Sequence, residues 1–181
     1  MNIAVAPGPV KTFTPLLSAL FNIDQHEYRK AVTIASEARN AKRGFYFIGN
    51  GGSAAIASHM AADWLKTLEV PAYCFNDGAL TTCMANDLGY GNVFSFPLSI
   101  HAGRGDVLFA ISSSGKSESI TNAVQAAHDC GMKVITLSGF AHDNPLRSMG
   151  DANFHVGSFK YGLVEVAHHA ICHSILDEVA S

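Results

Sequence analysis

Two loops of this sequence combine glycine with hydroxyl side chains in a way that suits the binding of a phosphate group. GNGGS spans residues 49–53, and ISSSGKS spans residues 111–117. Glycine permits positive φ angles and a close approach of the backbone to a ligand. Backbone amides at the start of a helix attract anions. Both loops are therefore candidates for contacts with an anionic substrate.

The serine-rich loop carries the stronger signal. Its hydroxyl groups belong to Ser112, Ser113, Ser114 and Ser117, and Gly115 lets the backbone amides turn inward. Only the GKS end of the Walker pattern GxxxxGK[ST] is present, which argues against nucleotide hydrolysis. A helix start with a polar lead-in is the alternative interpretation. We favour a site for a phosphate monoester.

The GNGGS loop supports two interpretations equally. Asn50, Gly51, Gly52 and Ser53 could contact a ligand, and Ser53 could also cap the following helix. The same residues would make an ordinary tight turn between a strand and a helix.

The segment at residues 75–92, FNDGALTTCMANDLGYGN, is dense in side chains that suit sugar hydroxyl groups. These are Asn76, Asp77, Asn86 and Asp87. Asn and Asp are equally common in turns and helix caps, where their role is structural. Both interpretations stay open.

Histidine and carboxylate side chains recur at a spacing of four on two predicted helices. His59 and Asp63 share one helical face, and Glu165, His169 and His173 share another. Converging faces would suit a divalent metal such as zinc, or an acid–base pair. Taken alone, the first pair is explained better by an ordinary contact within one helix. His168 could replace His169 if the phase of the last helix differs.

Strand and helix patterns alternate along most of the chain. Short apolar runs predict strands at residues 45–48, 72–75, 107–111, 134–137 and 153–156, and helical patterns cover residues 54–68, 79–87, 117–130 and 163–179. Residues 13–42 predict two helices broken near residues 22–24. This alternation predicts an α/β fold with a parallel sheet and helices on both faces. Ligands bind such sheets beyond the carboxyl ends of the strands.

Composition limits the classes of function. The 181 residues predict one domain, 1–181, with an N-terminal helical segment at residues 1–43 that packs on the body or on a neighbouring subunit. A net charge of −3 without a basic run argues against nucleic acid as a partner. Residues 1–14 contain no apolar run, so we expect neither a signal peptide nor a membrane span, and a cytoplasmic location. The scattered cysteines predict reduced thiols.

The sequence resembles the SIS family of sugar-isomerase domains, and within it most closely the bacterial phosphoheptose isomerases. The resemblance rests on GNGGS followed by His59 and Asp63, and on the segments MANDLGYGNVFS, GDVLFAISSSGKSESI, GMKVITLSG and VEVAHHAICHSIL. It covers the chain from about the second predicted helix to the end.

The resemblance implies a flavodoxin-like three-layer α/β/α sandwich with a five-stranded parallel sheet. It also implies a homotetramer with active sites at subunit interfaces. The implied reaction converts sedoheptulose 7-phosphate to D-glycero-D-manno-heptose 7-phosphate through an enediol, in lipopolysaccharide heptose biosynthesis. No nucleotide cofactor is implied.

The resemblance also assigns roles to residues. The serines at 112, 113, 114 and 117 would bind the phosphate. The sugar would contact Asn50, Gly51, Gly52, Ser53, Asn86 and Asp87. Asp63 and His173 would be catalytic. A zinc ion would be held by His59, Asp63, Glu165 and His173.

Several positions depart from the family pattern. Asp63 stands in place of a glutamate, and Glu165 in place of a glutamine. Before the last helix, the usual acidic and basic residues are replaced by Tyr161, Gly162, Leu163 and Val164, and Lys66 is the cation nearest to a missing arginine. Two alternatives therefore remain: an isomerase of another ketose phosphate, and a non-catalytic sugar-phosphate sensor or oligomeric adaptor.

Overall fold

A computed structural model of the chain describes residues 9–181. The expectations about residues 1–8, including part of the segment in which no signal peptide was predicted, lie outside this range. Within residues 9–181, no helix combines the length and the apolar character that crossing a bilayer demands.

Five parallel strands form one sheet in the order β2-β1-β3-β4-β5. The strands are β1 (Phe45–Gly49), β2 (Ala72–Cys74), β3 (Val107–Ser112), β4 (Lys133–Gly139) and β5 (Ala152–Val156). Every residue of β1 and β3 is buried, because helices cover both faces of the sheet. This explains why their sequences are apolar without alternation. The strand order is that of flavodoxin-like folds and confirms the predicted fold class.

Seven α-helices accompany the sheet in the described part of the chain. They are α1 (Val10–Phe21), α2 (Gln25–Asn40), α3 (Gly52–Leu68), α4 (Gly78–Leu88), α5 (Ser95–His101), α6 (Glu118–Asp129) and α7 (Tyr161–Ala180). The predicted break between the first two helices is confirmed, since the Asp24 carboxylate accepts hydrogen bonds from the amides of His26 and Glu27 and caps α2. Helix α5 was not predicted, because it is short and contains Pro97 in its first turn.

The two faces of the sheet bury separate apolar cores. Helices α2, α3 and α7 cover one face, where Trp64 packs against Phe45, Phe47 and Phe109. Helices α5 and α6 cover the other face, with Leu98 and Val124 in its core. Helix α1 packs on α7. This arrangement sets α3 and α7 side by side on the first face.

Candidate active site

The GNGGS and serine-rich loops meet at the point where the strand order reverses. Strands β1 and β3 are neighbours, and Gly49 at the end of β1 pairs with Ile111 near the end of β3. From β1 the chain continues to β2 on one side, whereas β3 lies on the other side. Diverging connections leave a crevice at the carboxyl edge of such a sheet. Both predicted ligand-binding loops open into that crevice.

A cavity of about 260 Å³ fills the crevice. Its lining contains all of the residues predicted from the two loops: Asn50, Gly51, Gly52, Ser53, Ser112, Ser113, Ser114 and Ser117. Ile111, Tyr161 and Glu165 complete the lining. Tyr161 was not predicted as a site residue, although its position four residues before Glu165 puts it on the same face of α7. Among the lining residues Glu165 carries the only formal charge, and the exposed Lys116 does not line the cavity.

The hydroxyl groups of the serine-rich loop are held inside the cavity. Ser112 Oγ accepts a hydrogen bond from the Gly115 amide at 3.1 Å and lies 3.4 Å from Ser117 Oγ. Ser113 is only 6% exposed, and among the described residues its Oγ has no hydrogen-bond partner. A buried hydroxyl group without a partner is costly. Ser113 is therefore ready to bond an oxygen atom of a ligand.

Glycine is required at two positions of the GNGGS loop for different reasons. Gly51 has a φ of +57°, a conformation that residues with a Cβ rarely adopt. Gly52 lies against Glu165, and a Cβ at Gly52 would come within 2.5 Å of the Glu165 carboxylate. The predicted capping by Ser53 is wrong, because Gly51 is the N-cap of α3 and Ser53 lies inside the helix.

A hydrogen-bonded chain holds the Asn50 side chain. Tyr90 Oη donates to Asn50 Oδ1 at 2.8 Å, and Asn50 Nδ2 donates to Ser119 Oγ at 3.0 Å. Among the described residues, Ser119 Oγ is the only acceptor for Asn50 Nδ2, and Asn50 lines the cavity. Sequence reasoning missed Tyr90, because its partner lies 40 positions away in the chain.

The polar segment at residues 75–92 contributes no residue to the lining of the cavity. Asn86 and Asp87 are exposed on α4, where Asn86 Nδ2 donates to Asp87 Oδ1 at 2.7 Å, and neither residue lines the cavity. Asn76 Nδ2 donates to the Ala54 carbonyl oxygen, and Asp77 caps α4. In this chain the contacts of Asn76 and Asp77 fit the structural interpretation of the segment.

The predicted histidine and carboxylate faces of α3 and α7 converge. His59 Nε2 lies 3.2 Å from Asp63 Oδ2, and His173 Nδ1 lies 3.9 Å from the same oxygen. His59, His169 and His173 each offer a ring nitrogen, and these nitrogens lie within 4.8 Å of one another. Burial, together with the neighbouring His173 and His59, lowers the pKa of His169. The cluster therefore joins side chains of two helices, whereas an ordinary His–Asp pair would involve α3 alone.

The neighbouring His168 points the other way. It is fully buried, and its Nε2 bonds the Ser138 carbonyl oxygen at 3.0 Å. Burial lowers the pKa of His168 to about 4. His169 is therefore the residue that faces α3, as the initial helical phase predicted.

The cavity and the His/Asp cluster are separate centres along the groove between α3 and α7. At a rise of about 1.5 Å per residue, His173 lies about 12 Å along α7 from Glu165, and Asp63 lies about 16 Å along α3 from Gly52. Glu165 therefore belongs with the cavity. The His/Asp cluster offers nitrogen and oxygen atoms of the kind that zinc binds.

Similarity to known proteins agrees with this arrangement. A family model described as the SIS domain matches residues 10–139. A phosphoheptose isomerase from Coxiella burnetii is 34% identical over 137 residues, which cover 71% of this chain and 69% of that protein. Another, from Chlorobium phaeovibrioides, is 37% identical over 144 residues, covering 74% of this chain and 66% of that protein.

Two solved structures resemble the whole fold. The phosphoheptose isomerase from Neisseria gonorrhoeae superimposes with a TM-score of 0.85 at 28% identity, covering 94% of this chain and 95% of that chain. One from Francisella tularensis superimposes with a TM-score of 0.82 at 25% identity, covering 93% and 94%.

Proposed function

The chain belongs to the SIS domain family, and from that premise we propose that it is a sugar-phosphate aldose–ketose isomerase acting on sedoheptulose 7-phosphate. The product would be D-glycero-D-manno-heptose 7-phosphate. The observation that carries the proposal is the cavity at the strand ends, in which buried serine hydroxyl groups face Asn50 and Glu165.

The serine-rich loop binds the phosphate. Ser112, Ser113, Ser114 and Ser117 donate hydrogen bonds to its oxygens, and Ser113 gains the partner that it lacks among the described residues. Asn50 offers an amide hydrogen to the sugar, and Glu165 accepts from sugar hydroxyl groups. Gly51, Gly52 and Ser53 would contact the sugar at the start of α3, and the missing side chain of Gly52 leaves room for the Glu165 carboxylate. Asn86 and Asp87 are exposed outside the cavity, so we assign them no contact with sugar in this cavity.

Proton transfer is assigned to Asp63 and His173. In the conversion of a ketose to an aldose, a base removes a proton from the first carbon, and the same proton returns to the second carbon of the cis-enediol. Asp63 moves this proton, and His173 moves the proton between the two oxygens. The pair shares a contact of 3.9 Å between His173 Nδ1 and Asp63 Oδ2.

We propose that a zinc ion binds at His59, Asp63 and His173. Imidazole nitrogen and carboxylate oxygen are ligands that zinc accepts, and His59 and His173 approach the same Asp63 oxygen. When bound, zinc would polarise the sugar carbonyl group as a Lewis acid.

The active protein is proposed to be a homotetramer with its sites at subunit interfaces. Two observations support this. Helix α1 exposes the apolar side chains of Val10, Phe13, Leu17 and Phe21, the last of them 84% exposed, and exposed apolar stripes of this kind mark interaction surfaces. In addition, the cavity residue Gly52 lies about 16 Å from Asp63 along α3, and Glu165 lies about 12 Å from His173 along α7. A second copy would bring an Asp63 and a His173 nearer to the cavity.

Mixing a variant with weakened phosphate binding and a variant with impaired proton transfer tests the shared site. Ser113→Ala and Asp63→Asn subunits, unfolded and refolded together, should recover activity, because some interfaces would join an intact cavity to an intact Asp63. Each variant refolded alone is the control. Recovery that is absent despite mixed oligomers would contradict a site built from two chains.

The family relationship extends the proposal to the cellular role. We propose one domain over residues 1–181, a cytoplasmic location, and a place in lipopolysaccharide heptose biosynthesis. The four free cysteines, Cys74, Cys83, Cys130 and Cys172, fit a reducing compartment.

The direct test is NMR spectroscopy in heavy water with sedoheptulose 7-phosphate and a panel of other ketose phosphates, with and without added zinc. Proton exchange at the first carbon and formation of an aldose are expected with sedoheptulose 7-phosphate. Turnover of another ketose phosphate alone would keep the isomerase and change its substrate. Binding without exchange across the whole panel would contradict an enzyme and favour a sensor.

A further inference from the structure

Three imidazole rings lie together in the groove between α3 and α7. The ring centroids of His59 and His169 are 5.0 Å apart, those of His59 and His173 are 5.3 Å apart, and those of His169 and His173 are 4.7 Å apart. Each residue offers one ring nitrogen within 4.8 Å of the others. One turn of helix separates His169 from His173, so the two rings approach His59 from the same side of α7.

Among the described residues, His169 makes no hydrogen bond or ion pair within the cluster. Its Nε2 is buried and has no hydrogen-bond partner among the described residues. Asp63 approaches His59 and His173 within 4.0 Å, and no comparable contact joins it to His169 in the described chain. Contacts inside the cluster therefore do not satisfy the buried Nε2 of His169, although a buried polar atom normally has a hydrogen-bond partner.

Glu165 lies one turn of α7 before His169 and faces the first turn of α3, whereas His59 lies further along the same helix. Its carboxylate occupies the space beside Gly52 and lines the cavity with Tyr161. Gly52 lies about 10 Å along α3 from His59, at the helical rise of about 1.5 Å per residue. Reaching the three histidines would require Glu165 to leave the cavity.

We infer that His169, and not Glu165, completes the metal site with His59, His173 and Asp63. The site would be a three-histidine, one-carboxylate set that joins α3 to α7, while Glu165 stays with the sugar. The inference shares its zinc with the proposed function, but it does not depend on isomerase activity. It concerns which side chains hold the ion.

Metal affinity tests the inference without any measurement of turnover. The full-length protein is stripped with a chelator, and Zn²⁺ is then titrated in competition with a chromogenic chelator. Co²⁺ is titrated in parallel, because its visible absorption reports the ligand set. His169→Ala and His169→Gln are compared with Glu165→Ala, and His142→Gln serves as a control at an exposed histidine outside the cluster. Thermal midpoints without metal establish that each variant folds.

Both His169 variants should lose at least about tenfold in Zn²⁺ affinity, because even residues that merely support a ligand cost about 10–100-fold when they are removed. They should also change the Co²⁺ spectrum. Glu165→Ala and His142→Gln should stay within about twofold of the unmodified protein, since neither would remove a ligand.

Several results would overturn the inference. These are unchanged affinity in both His169 variants, a loss in Glu165→Ala as large as that in His169→Ala, or a failure of the unmodified protein to bind Zn²⁺ at micromolar concentration. Heavy-water exchange with a sugar phosphate in a protein that binds no zinc would leave the isomerase standing and remove only this metal site. Zinc binding that depends on His169, without proton exchange in the sugar, would support this metal site and contradict the isomerase.

Discussion

The carboxylate of Glu165 occupies the space that a side chain at Gly52 would need. A Cβ built on Gly52 would come within 2.5 Å of the carboxylate carbon and both of its oxygens. The GNGGS loop permits a close approach to its backbone, and at Gly52 the group that approaches is the Glu165 carboxylate. This contact places a carboxylate at the start of α3, on the wall of the serine-lined cavity.

Gly52→Ala should displace Glu165 while leaving the fold intact. The clash involves the end of a flexible side chain, and alanine favours a helix over glycine by about 1 kcal/mol, so the thermal midpoint should hold or rise. The KM for the sugar phosphate should increase severalfold. Gly78→Ala is the control, since a Cβ there meets nothing within 4 Å. An unchanged KM in Gly52→Ala would show that the position of Glu165 does not matter for binding.

Asp63→Asn and His173→Ala should each lower kcat by about 10²–10⁴-fold, the range typical of lost acid–base groups. Circular dichroism should stay unchanged, because both side chains are only partly buried. Steady-state kinetics measure the effect, and His26→Ala, at an exposed histidine on α2, is the control. A variant with a near-normal rate would remove its residue from the mechanism.

Ser113→Ala should weaken the binding of phosphate. A hydrogen bond to a charged group is worth about 1.5–3 kcal/mol, so inhibition by inorganic phosphate and the KM should each worsen by about 10–100-fold. The unpartnered Oγ of Ser113 predicts no loss of stability, since no bond within the described chain is broken. Ser99→Ala, whose hydroxyl group bonds the Phe96 carbonyl oxygen on α5, is the control. Equal binding of phosphorylated and unphosphorylated sugar by the unmodified protein would refute the assignment of this loop.

Tyr90→Phe should release the Asn50 amide without altering the core. Tyr90 Oη donates to Asn50 Oδ1 and so sets which end of the amide faces the cavity. Without that bond the amide can turn over, and KM should rise more than kcat falls. Tyr73→Phe is the matched control, because Tyr73 is also about half exposed but lies on β2 and its hydroxyl group does not bond Asn50. A loss of kcat at constant KM would contradict a positioning role in substrate binding.

The buried His168 predicts a loss of stability in acid. Its pKa is about 4 in the folded chain, against an ordinary value of 6.5. Between these values the unfolded chain binds a proton that the folded chain does not, so stability falls as the pH drops through this window. The loss should approach about 3 kcal/mol by about pH 4.

Urea unfolding with a metal chelator present, at about pH 7 and about pH 4, measures this loss. His168→Gln should show a smaller decrease in the free energy of unfolding between the two conditions, because the titrating group is gone. His26→Gln, at an exposed position, should behave like the unmodified protein. An equal decrease in His168→Gln would assign the acid sensitivity to other groups.

Local patterns were sufficient to predict most of the elements and the two ligand-binding loops. Apolar runs, helical periodicity and loop composition are properties of neighbouring residues, and they placed all five strands to within about two residues. Helix α5 was not predicted because its seven residues, which include a proline, carry little periodic signal. The capping role of Ser53 was wrong because the helix begins earlier, at Gly52.

Contacts between distant residues required the tertiary structure. Periodicity indicates that a strand is covered, but not which strand lies beside it, so only the fold placed β1 next to β3 and brought the two loops to one cavity. It also showed Asn86 and Asp87 outside that cavity, and Tyr90 bonded to Asn50.

The histidines of α7 illustrate the same division. The spacing of four residues by itself determined that Glu165, His169 and His173 lie along one face. Which neighbour each one meets depended on how α7 packs against α3. That packing set Glu165 beside Gly52, His169 and His173 beside His59, and His168 in the core. Sequence determines the face of a helix because the helix is a local structure, whereas packing between helices determines what that face touches.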